Sequence, residues 1–192
     1  MKDSDYKQFD FEHPSFLFTL EDKLKVLLGG PLFYAPYYRT FKLKGNENVL
    51  DFGCGGGVGS RCLAESLKDG HLVCTDVSHY WITIARKRLK KYANVKCIAG
   101  DIREIDLPDG TFDVISAFHV IHDIAPAARP GIVKALSQKL KAGGIFFIRE
   151  PIKESHGMPV KEIQTLLSGA SLEETEYKKT KSEYMGVYRK SG

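Results

Sequence analysis

The sequence predicts an α/β fold in which helices cover both faces of a mostly parallel sheet, and three observations predict it. Short apolar runs alternate with amphipathic helical stretches through the middle of the chain, the pattern of repeated strand–helix–strand units. Residues 49–60 pass from an apolar pair through four glycines in five positions into a helical pattern, the strand–turn–helix geometry of a small-ligand clamp. Finally, 192 residues, 43% apolar and 27% charged, suit one domain able to bury a core on each side of a central sheet.

Composition narrows the setting. No apolar run approaches the length of a membrane span, and Met1-Lys2-Asp3-Ser4-Asp5 is too charged for a secretory signal. Cys54, Cys62, Cys74 and Cys97 form no C-x-x-C pair, so they read as free thiols of a reducing cytoplasm. The formal charge of +4 neither demands nor excludes an acidic partner.

Taken in order, residues 1–14 read as irregular. Phe16, Leu17, Leu20, Leu24, Leu27 and Leu28 then recur at helical spacing; Thr19 and Asp22 suit a capping box, and Gly29-Gly30-Pro31 stops the helix. The aromatic segment 32–41 is expected to act as a lid that also packs on the sheet. Lys23, Lys25, Arg39, Lys42 and Lys44 flank the apolar groups, which keeps peripheral membrane contact open as an alternative. Beyond the glycine turn a helix runs to Lys68-Asp69-Gly70, and residues 71–76 form a second buried strand. Ser78 is the expected cap of a helix from Trp81 to about Tyr92, with Ile82, Ala85 and Leu89 facing inward. Its Arg86-Lys87-Arg88-Leu89-Lys90-Lys91 run reads as a solvated face, with RNA contact as the alternative.

Residues 95–99 make a third strand leaving through Gly100-Asp101-Ile102. A Pro108-Asp109-Gly110 turn leads into a fourth strand over 112–118. Proline at 130 opens a helix whose inner stripe is Ile132, Val133, Leu136 and Leu140, ended by Gly143-Gly144. A fifth strand covers 145–150 and a short helix 158–167. Alternating residues over 172–180 and 184–190 make two closing strands, antiparallel at the sheet edge.

The glycine turn carries the chemistry. Glycines let the chain turn with positive φ and let a ligand reach main-chain N–H groups that a Cβ would shield. Gly53, Gly55 and Gly57 give G-x-G-x-G, led by Asp51 two places before the first glycine. A dinucleotide fingerprint needs G-x-G-x-x-G/A, and here the sixth place falls on Val58 or Ser60. A leading carboxylate also suits a ligand bearing positive charge, whereas a bare helix N-terminus suits pyrophosphate. The stretch Asp51-Phe52-Gly53-Cys54-Gly55-Gly56-Gly57 closely resembles motif I of the class I S-adenosylmethionine-dependent methyltransferases. That resemblance covers about residues 45–192. It implies a three-layer Rossmann-like sandwich on a seven-stranded sheet of order 3-2-1-4-5-7-6, with strand seven antiparallel. It also implies one domain over 1–192, with 1–44 as a helical and aromatic lid segment and 45–192 as the cofactor-binding core.

The implied cofactor is S-adenosylmethionine, leaving as S-adenosylhomocysteine. Asp51, Gly53, Cys54, Gly55 and Gly57 would wrap its methionyl part. Asp76, about twenty residues on at a strand end with Val77 beside it, offers two accepting oxygens to a ribose diol. Asp101 and Ile102 match the family's adenine contact, and Phe118 at the fourth strand's exit completes the set. His119 and His122 are candidate general bases, with Asp123 or Glu150 orienting an imidazole or the acceptor. The plainer alternatives are a loop cap for His122-Asp123 and packing beside the cofactor for His119. His119, His122, Glu150 and His156 follow no recognised zinc spacing, so no metal is expected.

The acceptor is read by elimination. Nucleic-acid amino-methylating enzymes carry Asn/Asp-Pro-Pro-Tyr/Phe after strand four, and pyrimidine C5 enzymes carry Pro-Cys; this chain has Phe118-His119-Val120-Ile121. That pattern resembles small methyltransferases acting on metabolites or lipids, so a small-molecule or lipid-like acceptor is expected and nucleic acid is not. Competing readings are an RNA- or protein-directed methyltransferase, a non-catalytic S-adenosylmethionine-binding module, and a nicotinamide-dependent oxidoreductase.

Overall fold

The computed structural model describes Glu12 and residues 32–192. The helix expected over 16–28, its capping box and its stop at 29–31 lie outside the described residues, as does most of the 1–14 segment.

Successive residues of an extended strand point to opposite faces, and the central strand β1 (Asn48–Phe52) divides the core accordingly. Leu50 and Phe52 join Ile115, Leu136, Phe146 and Ile163 on one side of the sheet. Val49 joins Leu63, Leu72, Ala85 and Leu89 on the other. The first face is covered by α4 (Arg129–Lys139) and α5 (Val160–Ser168). The second is covered by α1 (Ala35–Arg39), α2 (Val58–Ser66) and α3 (His79–Leu89). Ser78 caps α3 as expected, its hydroxyl accepting from Trp81 N at 3.1 Å. Three layers result.

The sheet also holds β2 (His71–Asp76), β3 (Val95–Ala99), β4 (Phe112–Phe118), β5 (Leu140–Lys153), β7 (Leu172–Lys179) and β8 (Glu183–Lys190), in the order 3-2-1-4-5-8-7. β1 pairs in parallel with both β2 and β4, so strand order reverses beside it. In open α/β sheets a ligand sits outside the strand ends at such a switch point. β8 runs antiparallel to β5 and β7. The order is the expected one; its numbering moves because a two-residue β6 (His156–Gly157) folds back antiparallel on the end of β5.

Several element ends shift by a few residues: α3 runs His79–Leu89 rather than Trp81 to about Tyr92, and β5 starts at Leu140 rather than 145. The shift at the end of α4 has a clear cause. The helix ends at Lys139, before Gly143-Gly144, because Leu140 leaves it to pair with Phe112 on β4. Leu140 remains fully buried, but from a strand, and its carbonyl accepts from Lys190 Nζ at 2.7 Å. The basic run at the end of α3 is a solvated face, as expected, with Arg86, Lys87, Lys90 and Lys91 exposed, and its two guanidinium groups also reach back to main-chain carbonyls. The Arg86 guanidinium donates to Cys97 O at 3.0 and 3.3 Å, and Arg88 donates to Gly56 O in the glycine turn.

Candidate functional site

The glycine turn is laid over β2 by two bonds to one acceptor: Gly53 N and Cys54 N both donate to Thr75 O, at 2.8 and 3.0 Å. Gly53 adopts φ +69°, and a Cβ there would lie 2.2 Å from Val120 Cγ2, so only glycine lets the loop after β4 close on this turn. Gly55 differs. Its φ is +50°, and a Cβ there would meet nothing within 4 Å, because the backbone opens onto a cavity. Two carboxylates border this bare backbone. Asp51, buried, accepts from Ser60 Oγ on α2 at 2.6 Å, and burial pushes its pKa up to about 6. Asp76 accepts from Gly55 N at 2.9 Å and Ser78 N at 3.0 Å, which still leaves each oxygen a lone pair. Burial raises its pKa too.

The cavity measures about 360 Å³, within the roughly 300–1,000 Å³ of small-molecule sites. Asp51, Gly53, Cys54, Gly55, Asp76, Val77, Asp101, Ile102, Phe118 and His119 all line it. Gly57 stands behind, at the start of α2 against Ala85 and Leu89. Val77 is 57% exposed at the cavity although it is apolar, whereas Ile102 is almost fully buried. Asp101 is tied to Arg103, whose Nε reaches both carboxylate oxygens at 2.9 and 3.1 Å. That guanidinium holds the Asp101 carboxyl below the usual range.

Glu150 and His122 do not line the cavity; they hold the loop that does. Glu150 is fully buried, and its Oε1 accepts from Val120 N at 3.0 Å and Ile121 N at 2.8 Å. Its Oε2 accepts from His122 Nδ1 at 2.6 Å, so this carboxylate orients an imidazole. Arg129, also buried, secures the same loop from α4 by donating to His122 O at 2.9 Å and Ile124 O at 2.8 Å. Removing Glu150 leaves three backbone donors, of Val120, Ile121 and His122, and an imidazole N–H without their acceptor. We therefore expect Glu150→Ala to lose about 3–5 kcal/mol of stability, read as a denaturant midpoint shift at unchanged m-value. A loss under about 1 kcal/mol would refute the anchoring role.

His119 does face the cavity, and its backbone has φ +51°, unusual for a residue with a Cβ. It is held there by His119 N donating to Arg149 O at 2.8 Å and by its Nε2, 2.8 Å from Glu183 Oε1. Burial lowers the imidazole pKa, so the ring is neutral near pH 7. With the proton on Nε2 facing the carboxylate, Nδ1 is left as the acceptor. Glu183 is gripped in turn by Arg149, at 2.6 and 3.2 Å. The Arg149 guanidinium also lies over the rings of Phe33 (4.4 Å), Phe118 (5.1 Å) and Tyr37 (5.4 Å), tying the aromatic segment to the site. Sequence reasoning missed Arg103, Arg129, Arg149 and Glu183. Arg103 stood two residues past Asp101 and Arg149 directly before Glu150, whereas Arg129 and Glu183 lay beside no candidate position. His122 Nε2, on the ring's far side from Glu150, meets Asp123 Oδ1 and His156 Nε2, a group with metal-ligand geometry.

Residues 49–144 match the family described as "Methyltransferase domain". Among curated proteins, phosphoethanolamine N-methyltransferase 1 of Zea mays is 32% identical over 146 residues, which is 74% of this chain and 28% of that protein. Demethylmenaquinone methyltransferase of Listeria welshimeri is 27% identical over 145 residues, 72% of this chain and 58% of that protein. The chain spans about half the length of the curated relatives it matches. Among solved structures, a SAM-dependent methyltransferase from Aquifex aeolicus superposes with TM-score 0.70 at 20% identity, covering 98% of each chain. The N-methyltransferase NodS of Bradyrhizobium japonicum, in complex with S-adenosyl-L-homocysteine, gives TM-score 0.66 at 20% identity over 77% of this chain and 80% of that one.

Proposed function

This chain belongs to the methyltransferase-domain family, in its class I S-adenosylmethionine-dependent form with S-adenosylmethionine as cofactor, and from that premise we propose that it methylates a small-molecule or lipid-like acceptor by in-line displacement. One observation carries the reading: the bare backbone at Gly55 and the imidazole of His119 line the same cavity. The printed activities of the relatives, on phosphoethanolamine and demethylmenaquinone, support the acceptor class.

The open space at Gly55 and the spare lone pairs of Asp76 fit an adenosyl sulfonium, which when bound supplies a methyl carbon already activated for displacement. The chain's own work is to align and desolvate. Asp51 would present its carboxylate to the cationic methionyl end, and Asp76 would accept from the ribose hydroxyls. Val77 and Ile102 would wall the adenine, covering the exposed Val77 side chain. His119 takes a proton at Nδ1 from an acceptor O–H or N–H where one must be lost, and Glu183 stabilises the imidazolium that forms. The segment before β1 serves as the lid, supported by Tyr34 and Tyr38 in the cavity wall. We place the protein in the cytoplasm, supported by four free cysteines. Among the described residues, no helix is long and apolar enough to cross a membrane.

Incubating the protein with methyl-labelled cofactor and separate metabolite, lipid and RNA pools tests the reading. Label in the metabolite or lipid pool is expected. Label in RNA alone redirects it, and binding without transfer to any pool makes the chain a sensing module. Asp76→Ala is expected to weaken cofactor binding by about 1.5–3 kcal/mol, roughly 10–150-fold in Kd by calorimetry. Parent-like affinity would remove the ribose assignment.

Cofactor affinity should also depend on pH through Asp51. In the free protein this carboxyl keeps its proton up to about pH 6, so its contribution to folding is full below the ordinary carboxylate range, about pH 4, and is lost as pH rises from there to about 6. Binding a cation needs the charged form and therefore runs the other way. Affinity is expected to be level above about pH 7 and to fall toward tenfold per pH unit below about 6. Asp51→Asn should flatten the profile.

A further inference from the structure

The loop after β4 and the turn after β5 bring two imidazoles and a carboxylate together at the edge of the cavity. We propose that His122 Nε2, Asp123 Oδ1 and His156 Nε2 form a site for one first-row divalent cation of the Zn²⁺ type, with Glu150 orienting His122. The three ligand atoms lie within 4.8 Å of one another. His122 Nε2 is 3.2 Å from His156 Nε2 and 3.3 Å from Asp123 Oδ1. Bonds of about 2.0–2.1 Å at tetrahedral angles place neighbouring ligand atoms roughly 3.3–3.4 Å apart, so both spacings suit one shared ion. The third side closes through His156, which is exposed at the start of β6.

The orientation of His122 is the second support. Glu150 Oε2 accepts from Nδ1 at 2.6 Å, which puts the ring proton there and turns the Nε2 lone pair toward the cluster. A carboxylate behind a ligating histidine, fixing tautomer and ring angle, is the usual outer layer of such centres. Two imidazoles and one carboxylate favour Zn²⁺ and its transition-metal neighbours over Mg²⁺ or Ca²⁺, which prefer oxygen-only shells. Burial grades outward from His122 through half-buried Asp123 to His156, giving an ion a path from solvent.

Three protein ligands leave a coordination position open. Asp123 also lines the cavity, so that position faces the space assigned to the acceptor. Its chemistry suits an acceptor with an anionic or deprotonable oxygen, nitrogen or sulfur, a clause that rests on the proposed function. The ion site itself does not.

The test uses the untagged, chelator-stripped chain. Calorimetry with Zn²⁺ should give one ion per chain, and Co²⁺ should develop the visible bands of a four- or five-coordinate nitrogen–oxygen site. His156→Ala alters an exposed side chain, and Asp123→Asn keeps the residue's shape. Each should weaken Zn²⁺ at least about tenfold while circular dichroism stays that of the parent. Absence of stoichiometric Zn²⁺ uptake, or parent-like affinity in both variants, would overturn the site. S-adenosylhomocysteine calorimetry on the metal-free chain reads the cofactor assignment separately.

Discussion

Gly55→Val should abolish cofactor binding in a protein that still folds. A Cβ at this position points into open cavity and meets no protein atom within 4 Å, so the added side chain enters the space the ligand needs. The positive φ adds strain of about 1–2 kcal/mol for a side chain there, small against typical domain stabilities. Affinity for S-adenosylhomocysteine is expected to drop at least about a hundredfold, with Gly55→Ala in between. Gly53→Ala is the contrasting case. Its Cβ would strike Val120, so it should lower thermal stability as well as binding. A Gly55→Val protein that binds like the parent would put the cofactor elsewhere.

His119→Ala should lower kcat by about 10²–10⁴, the usual scale for a positioned general base, with little change in cofactor Kd. Its partner offers a finer check. The Glu183 charge raises the His119 pKa against the burial that lowers it. Glu183→Gln keeps a hydrogen-bonding side chain but removes that charge. The acidic limb of the kcat profile should therefore move to lower pH, because a neutral partner no longer favours the imidazolium. An unmoved limb would show that another group governs it. A kcat within about threefold of the parent in His119→Ala would leave alignment and desolvation as the chain's whole contribution.

What was legible beforehand was local. Ser78 was readable as a cap because capping needs only a hydroxyl three residues from an orphan N–H, and that bond is present. Asp76 was readable because it ends a strand at a set distance from the glycine turn, and it does border that turn. The end of α4 was misplaced because Gly143-Gly144 is a strong local stop, yet Leu140 gains more as a strand residue opposite Phe112. The loop after β4 was read as the place for catalytic groups. Which of its residues face the cavity was not readable, since a few backbone angles there decide it, including the left-handed one at His119.

By itself the sequence determined the layered α/β class and the carboxylate–glycine–carboxylate run, because periodicity, capping and turn chemistry act over a few residues. The strand order came only from the motif resemblance, since periodicity does not encode it. Tertiary structure alone decided that Glu183 reaches His119 and Arg149, since that meeting depends on β8 lying antiparallel beside β5 with Pro151 opposite Glu183. It likewise decided that His156 meets His122 across 34 residues of chain. Such contacts are set by the register of strands and the closure of turns, and no spacing along the chain encodes them.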